Sequence, residues 1–303
     1  MTITQLEYIV AVADCKSFAK AAEKCHITQP TLSVQIKKLE NHLKVSLFDR
    51  TKKPVQPTTI GLQVIEQARM TLSELSRISD IIKTEQEDSN GEIRLGIIPT
   101  LSPYLLPLFS GSFLDKNPGT QLFIKEMLTE EILFDLYNNN IDIGILVTPL
   151  ENHDLKQIPL FHEPFIVYMS NNHILSENDD IDLCDLDLNE MWLLKAGHCY
   201  RNQVLNLCSQ NAMRENKKAI RFESGSIETL RRIVEKQQGY TLLPKLATLE
   251  FAPQQQQMVK EFLDPKPVRE VSIVLHRRFV KTNVVESLKQ SILENIPSEF
   301  TQH

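Results

Sequence analysis

The sequence predicts a multidomain α+β protein with a small helical head, one long helix and a larger α/β domain. Three patterns carry this prediction: apolar residues at helical spacing over residues 4–43, a three-four apolar spacing over residues 59–84, and strand-like runs that alternate with helical stretches from Ile93 onward. The chain has 303 residues, of which 42% are hydrophobic, so it is long enough for two domains with sizeable cores.

The head has the pattern of a helix-turn-helix. Residues 4–14 form a first amphipathic helix, and Ser17 is placed to cap a second, Ala-rich helix over residues 18–24. Thr28 caps a third helix with Pro30 in its first turn, where the missing N–H costs little. Two short helices, a tight turn and a third helix make this motif.

A wing should follow the third helix. Residues 47–58 predict two short strands around a basic tip of Arg50, Lys52 and Lys53. Residues 1–70 hold ten Lys and Arg against six Asp and Glu, a net charge of +4, and the total of −6 leaves −10 for the remainder. A basic head on an acidic body suits nucleic-acid binding, although +4 alone decides nothing.

Neither a membrane span nor a secretory signal is expected. The sequence has no run of about 18 apolar residues, and its first residues lack the basic and apolar regions of a signal peptide. The expected location is the cytoplasm, where cysteines stay reduced unless they are catalytic, metal-binding or redox-sensing.

The long helix over residues 59–84 is expected to form a dimer. Its apolar positions alternate spacings of three and four, which is typical of a coiled-coil seam, and a single buried amphipathic helix is the alternative. The apolar seam positions are Ile65, Ala68, Leu72, Leu75 and Ile82, with the polar Ser79 filling the gap before Ile82. A polar, flexible boundary follows at 85–91, so the expected divisions are a head at 1–58, a linker at 59–90 and a regulatory domain at 91–303.

Strand-like runs define the third part. They alternate with helical stretches, which predicts an α/β domain with largely parallel sheets. The runs lie at residues 93–98, 121–125, 141–147, 165–169, 191–194 and 271–275.

The start of the third helix and the wing tip carry the side chains expected to contact double-stranded DNA. A Gln side chain can pair with adenine edges, Thr or Pro can meet a thymine methyl, and hydroxyls and lysines suit phosphates. The alternative is an ordinary polar surface on a three-helix bundle. The expected DNA-binding residues are Thr28, Gln29, Pro30, Thr31, Ser33, Lys37, Arg50, Lys52 and Lys53.

Spacing separates the five cysteines. Cys15 and Cys25 lie in the helical head, where buried structural thiols are expected, and Cys184 has no partner motif. No CxxC pair occurs, so no zinc or other metal site is expected.

Cys199 and Cys208 form the candidate redox pair. Cys199 lies between His198 and Arg201 near a helix start, which favours the thiolate that attacks peroxide, whereas Cys208 lies in an apolar helical stretch. Nine helical residues span about 13.5 Å. A disulfide needs Cα atoms within about 7 Å, so oxidation would have to unfold the helix. Two unrelated core cysteines are the alternative.

The first 60 residues resemble the LysR-type transcriptional regulators. The resemblance is carried by residues 18–22 (FAKAA) and 28–33 (TQPTLS), followed by Ile36, Leu39, Glu40, Leu47, Phe48 and Arg50. It extends over the full length and is strongest to members that sense hydrogen peroxide. That part is carried by residues 98–100 (IPT), 103–107 (PYLLP), 197–201 (GHCYR), Cys208, 226–231 (SIETLR) and 241–244 (TLLP).

The resemblance implies a non-enzymatic activator of oxidative-stress genes. It would bind promoter DNA as a homotetramer, contact RNA polymerase and need no cofactor. Its regulatory domain would resemble a periplasmic binding protein with two half-domains, one of residues 91–162 plus 266–303 and the other of residues 163–265.

The resemblance also nominates side chains around the thiol. Thr100, Thr129 and His198 would hold and polarise the peroxide, and Arg201 and Arg269 would tune the thiolate. This chain departs from the pattern at Tyr200 and in a Gln-rich loop over residues 251–260. Two other functions stay open: a LysR-type regulator that binds a small metabolite between the half-domains, and a thiol peroxidase, against which the DNA-binding head argues.

Overall fold

The computed structural model describes residues 1–85, 91–150, 155–208, 222, 224–277, 279 and 281–300. It separates into two compact units, one formed mainly by residues 1–88 and the other mainly by residues 89–303. Residues 86–90 of the predicted polar boundary lie outside the described residues. No helix in the described part of the chain is long and apolar enough to cross a membrane.

The head is a winged helix-turn-helix, as predicted. Side chains of Thr2, Ser17 and Thr28 cap its three helices by accepting hydrogen bonds from backbone N–H groups. The elements of this unit are α1 (Ile3–Cys15), α2 (Phe18–Lys24), α3 (Gln29–Leu43), β1 (Phe48–Asp49), β2 (Gln56–Pro57) and α4 (Thr59–Glu85). Strands β1 and β2 pair antiparallel and form the wing.

The first part of α4 belongs to the core of the head. Ile65 and Ala68 are buried in that core, and Leu72 packs against it. These three positions of the predicted dimer seam are therefore used inside one chain, because the three short helices need a fourth apolar wall. Ile78 is 58% exposed. The side chain of Ile82 lies outside the described residues.

The second unit alternates strands and helices. Its strands are β3 (Gly91–Ile97), β4 (Thr120–Glu126), β5 (Ile143–Thr148), β6 (Leu155–Met169), β7 (Asp180–Ile181), β8 (Tyr240–Pro244), β9 (Val259–Phe262) and β10 (Val268–His276). Its helices are α5 (Ser102–Lys116), α6 (Thr129–Tyr137), α7 (Cys199–Leu207), α8 (Ile227–Val234), α9 (Pro253–Gln256) and α10 (Thr282–Asn295).

The sheet is mixed, so the prediction of largely parallel sheets is wrong. Strand β3 runs parallel to β4 and β5, but β10 is antiparallel to both β5 and β6. Nine of the first ten residues of β6 pair with β10, with one register shift, and the last five pair with β8. The chain follows β6 in one direction and comes back beside it on β10, so the two strands are antiparallel.

The run at residues 191–194 is not a strand. It makes single bridges from Met191 to Tyr240 and from Leu194 to Ser224. These residues instead join an apolar core over residues 165–262, which also holds Tyr200, Val204 and Cys208 of α7 and its C-cap.

Candidate functional site

The third helix of the head, α3, has one buried face and one exposed face. Leu32, Ile36 and Leu39 are fully buried. The expected DNA-binding residues lie on the other side or on the wing, and all of them are exposed except Ser33, which is half-buried. Thr28 and Thr31 share a hydrogen bond of 2.8 Å between their hydroxyl groups.

Arg50 is engaged within the protein. Its guanidinium donates to the Glu40 carboxylate at 3.2 Å and to the Ser33 hydroxyl at 3.3 Å, and it lies 4.9 Å from the centre of the Phe18 ring. Glu40 also accepts the backbone N–H of Leu47 at 2.8 Å. Glu40 therefore connects α3 to the wing, a role that sequence reasoning missed.

Cys199 and Cys208 lie at opposite ends of α7. Cys199 is the first residue of the helix and half-buried, and Cys208 is its C-cap and only 1% exposed. The helix that the sequence predicted between them is present, so its rise keeps the Cα atoms about 13.5 Å apart. Burial raises the pKa of the Cys208 thiol to about 11.

Polar atoms without partners lie on and near the first turn of α7. Within the described part of the chain, no hydrogen-bond partner meets the buried Thr129 Oγ1, His198 Nε2 or Gln203 Oε1. Gln203 follows Cys199 by four residues and so shares its side of the helix. The turn before Thr129 borders this segment, because Leu128 is the nearest neighbour of the open side of Gly197.

His198 and Arg201, the predicted site residues on either side of Cys199, have different surroundings. Burial and, next, Lys195 lower the pKa of His198, which favours a neutral imidazole, while Glu126 acts in the opposite direction. Arg201 donates from its guanidinium to the Leu194 carbonyl at 2.6 Å. Cys199 itself lies at the start of α7, where the first backbone N–H groups lack helical partners.

Arg269 lies in a buried ion pair that the sequence did not predict. Its guanidinium donates to the Glu163 carboxylate at 2.7 and 2.9 Å, and to the Thr100 hydroxyl and carbonyl at 3.0 and 3.1 Å. Glu163 also accepts the backbone N–H of Leu246. Burial raises the pKa of Glu163, and the charge of Arg269 acts in the opposite direction.

The other cysteines lie elsewhere. Cys15 and Cys25 are half-buried against the core of the head. Cys184 is exposed, and a hydrogen bond with Asp182 and the charge of that residue raise its pKa.

A cavity of about 320 Å³ opens between α5 and α8. Tyr104 donates to Glu228 at 2.8 Å, and Arg231 forms ion pairs with Glu228 and Glu235. Arg231 and Glu228, which line this cavity, are thus paired with each other.

The fold and the sites define a DNA-binding regulator. Residues 3–62 match the family model "Bacterial regulatory helix-turn-helix protein, lysR family", and residues 86–297 match "LysR substrate binding domain". The chain therefore belongs to the LysR family of transcriptional regulators, which are not enzymes.

Its relatives are more specific. The chain is 31% identical to the hydrogen peroxide-inducible genes activator of Haemophilus influenzae over 98% of each protein. It is also 31% identical to the DNA-binding transcriptional dual regulator OxyR of Escherichia coli, over 99% of this chain and 97% of that protein. A full-length OxyR variant from Pseudomonas aeruginosa superposes with a TM-score of 0.79 at 33% identity, covering 98% of this chain and 99% of that one.

Proposed function

We propose that this regulator senses hydrogen peroxide through a thiol–disulfide switch between Cys199 and Cys208. The observation that carries the proposal is their placement at the two ends of α7, one half-buried at the helix start and the other buried at its end. The likeness to regulators named for hydrogen peroxide supports it.

The positions of the two thiols assign them different steps. The Cys199 thiolate attacks one peroxide oxygen, the O–O bond breaks, and the departing hydroxide takes up a proton, which leaves a sulfenic acid and water. The Cys208 sulfur, whose raised pKa keeps it protonated until then, attacks the Cys199 sulfur. The S–O bond breaks, and the hydroxyl leaves as water with the proton from Cys208.

The polar groups near Cys199 would hold the peroxide. Thr129 Oγ1 and a neutral His198 supply hydrogen-bonding atoms without partners among the described residues. Thr100 contributes through a hydroxyl that Arg269 already orients. Arg269 therefore acts on the site by fixing Thr100, since its own charge is paired with Glu163.

The head and α4 complete the regulator. Gln29 and Thr31 would meet bases, and Lys37, Lys52 and Lys53 would meet phosphates. Leu75, Ile78 and Ile82 repeat at three-four spacing beyond the core of the head and would form the dimer seam, with regulatory domains pairing dimers into a tetramer. Closing the disulfide would change how these domains pack, and with it the contact to RNA polymerase and the activation of oxidative-stress genes.

Mass spectrometry after peroxide titration tests the switch. The wild-type protein should form the Cys199–Cys208 bridge and change its promoter affinity. Cys199→Ser should abolish both effects, and Cys208→Ser should stop at the sulfenic acid and overoxidise. Unmodified Cys199 in a protein that still responds would instead support a metabolite sensor, and catalytic peroxide turnover with a thiol reductant would support a peroxidase.

A further inference from the structure

The ring of Tyr200 is enclosed beside the candidate redox cysteine. The residue is 3% exposed, and its ring lies 5.2 Å from that of Phe165 on β6. The Arg269 guanidinium lies 5.1 Å from the centre of the same ring, which is a cation–π contact. The first turn of α7 is thereby held against β6 and β10.

The partner of this ring is itself fixed. Arg269 and Glu163 are 3% and 0% exposed, and their hydrogen bonds to each other, to Thr100 and to Leu246 engage both side chains. The Tyr200 ring therefore packs against a buried ion pair. Hydrogen bonds fix that pair in place, so it cannot move together with Tyr200 when α7 unwinds.

Besides the Tyr200 ring, the Arg201 guanidinium anchors this end of the helix by donating to the Leu194 carbonyl at 2.6 Å. The N-cap residue His198 makes no side-chain hydrogen bond to the helix, so the first backbone N–H groups of α7 lack a side-chain cap. Unwinding should then begin at Cys199. Bringing its sulfur to Cys208 must withdraw the adjacent Tyr200 ring from its contacts with Phe165 and Arg269.

We propose that Tyr200 is a positioning residue that keeps the Cys199 end of α7 folded and so limits the rate of the second oxidation step. This inference rests on the proposed peroxide switch. Tyr200 does not enter the chemistry: the Cys208 sulfur still displaces the sulfenic hydroxyl of Cys199, which leaves as water.

The ring, and not the hydroxyl, should carry this role. The Tyr200 hydroxyl is buried and meets no hydrogen-bond partner within the described residues. Phenylalanine keeps the ring contacts with Phe165 and Arg269, while leucine keeps an apolar side chain and loses the cation–π contact. Tyr200→Phe is therefore the matched control for Tyr200→Leu.

The test separates the two oxidation steps in the full-length protein. Reduced wild type and both variants receive a brief equimolar peroxide pulse that catalase ends, and timed samples are trapped with dimedone and an alkylating reagent. Mass spectrometry then follows the Cys199 sulfenic acid and the disulfide. We expect disulfide formation to be about tenfold or more faster in Tyr200→Leu, since a desolvated cation–π contact corresponds to a factor of that order. Tyr200→Phe should stay within about twofold of wild type, as should sulfenic acid formation in both variants.

Equal second-step rates in wild type and Tyr200→Leu, or a Phe variant as fast as the Leu variant, would overturn the inference and leave the switch intact. Absence of Cys199 oxidation in wild type would overturn the switch itself. Hydrogen exchange of α7 in the reduced proteins gives a readout without peroxide, with faster exchange expected only in Tyr200→Leu. If that variant does not fold, Phe165→Leu, which removes the neighbouring ring, should accelerate the second step in the same direction.

Discussion

The guanidinium of Arg50 and the carboxylate of Glu40 form an ion pair of 3.2 Å that joins the wing to the recognition helix. Because Glu40 also accepts the backbone N–H of Leu47, just before the wing, these contacts fix the position of the wing against α3. The positive charge of Arg50 is thus used within the protein, whereas Lys37 and Lys53 form no ion pair among the described residues.

Salt dependence should distinguish the two kinds of basic residue. Lys53→Ala should weaken binding to every duplex and reduce the slope of log K against log salt by about 0.9, because one phosphate contact is lost. Arg50→Ala should weaken binding with an almost unchanged slope, and Arg50→Lys should not rescue it, because lysine lacks the planar fork. Fluorescence anisotropy at several salt concentrations measures the affinity and the slope. A duplex of shuffled sequence shows whether the loss affects every DNA sequence. If Arg50→Ala instead reduced the slope and Arg50→Lys restored it, Arg50 would be assigned to a phosphate contact.

The proposed dimer seam of α4 should hold two chains together. Ile78→Glu is expected to produce monomers at micromolar concentration, because it places a charge in the proposed seam. Leu62→Glu is the control, since Leu62 is also exposed (51%) but lies about 160° away around the helix. Sedimentation velocity decides: a wild-type monomer, or equal effects of both variants, would contradict the seam.

The Cys208 thiol should link stability to alkaline pH. Its pKa rises from 9.0 to about 11 on folding, so the unfolded chain loses this proton first as pH increases. The free energy of unfolding should therefore fall between about pH 9 and 11, and Cys208→Ala should reduce that fall. Denaturant unfolding at several pH values measures it, with Cys15→Ala, which removes a thiol of the head, as the control. An identical pH profile in Cys208→Ala would refute the linkage.

Breaking the buried ion pair should destabilise the regulatory domain strongly. Glu163→Gln leaves the buried Arg269 charge without its carboxylate, which typically costs about 3–5 kcal/mol. Glu294→Gln removes the exposed partner of Lys116 and should change the melting temperature much less, because solvent screens an exposed ion pair. Thermal unfolding compares them. A small effect of Glu163→Gln would mean that Thr100 and Tyr200 alone satisfy Arg269.

Features set by neighbouring residues were predictable from the sequence, and those set by distant partners were not. The caps at Ser17 and Thr28 depend on contacts within three residues, so the head helices were predicted correctly. Glu163 and Arg269 are 106 residues apart, and no local pattern pairs them. The apolar positions of α4 were identified, but whether they face the head or a second chain depends on packing that spacing alone does not specify.

The pairing of β6 with β10 determines which motions the regulatory domain can make. Nine residues of β10 pair with β6 across one register shift, and β10 also pairs with β5, so the two proposed half-domains are joined through one hydrogen-bonded sheet. A register shift of this kind bends its strand and increases the local twist, whereas separating the strands would break their hydrogen bonds. Events at α7 should therefore reach the rest of an assembly as a rotation of one half against the other, at nearly constant separation.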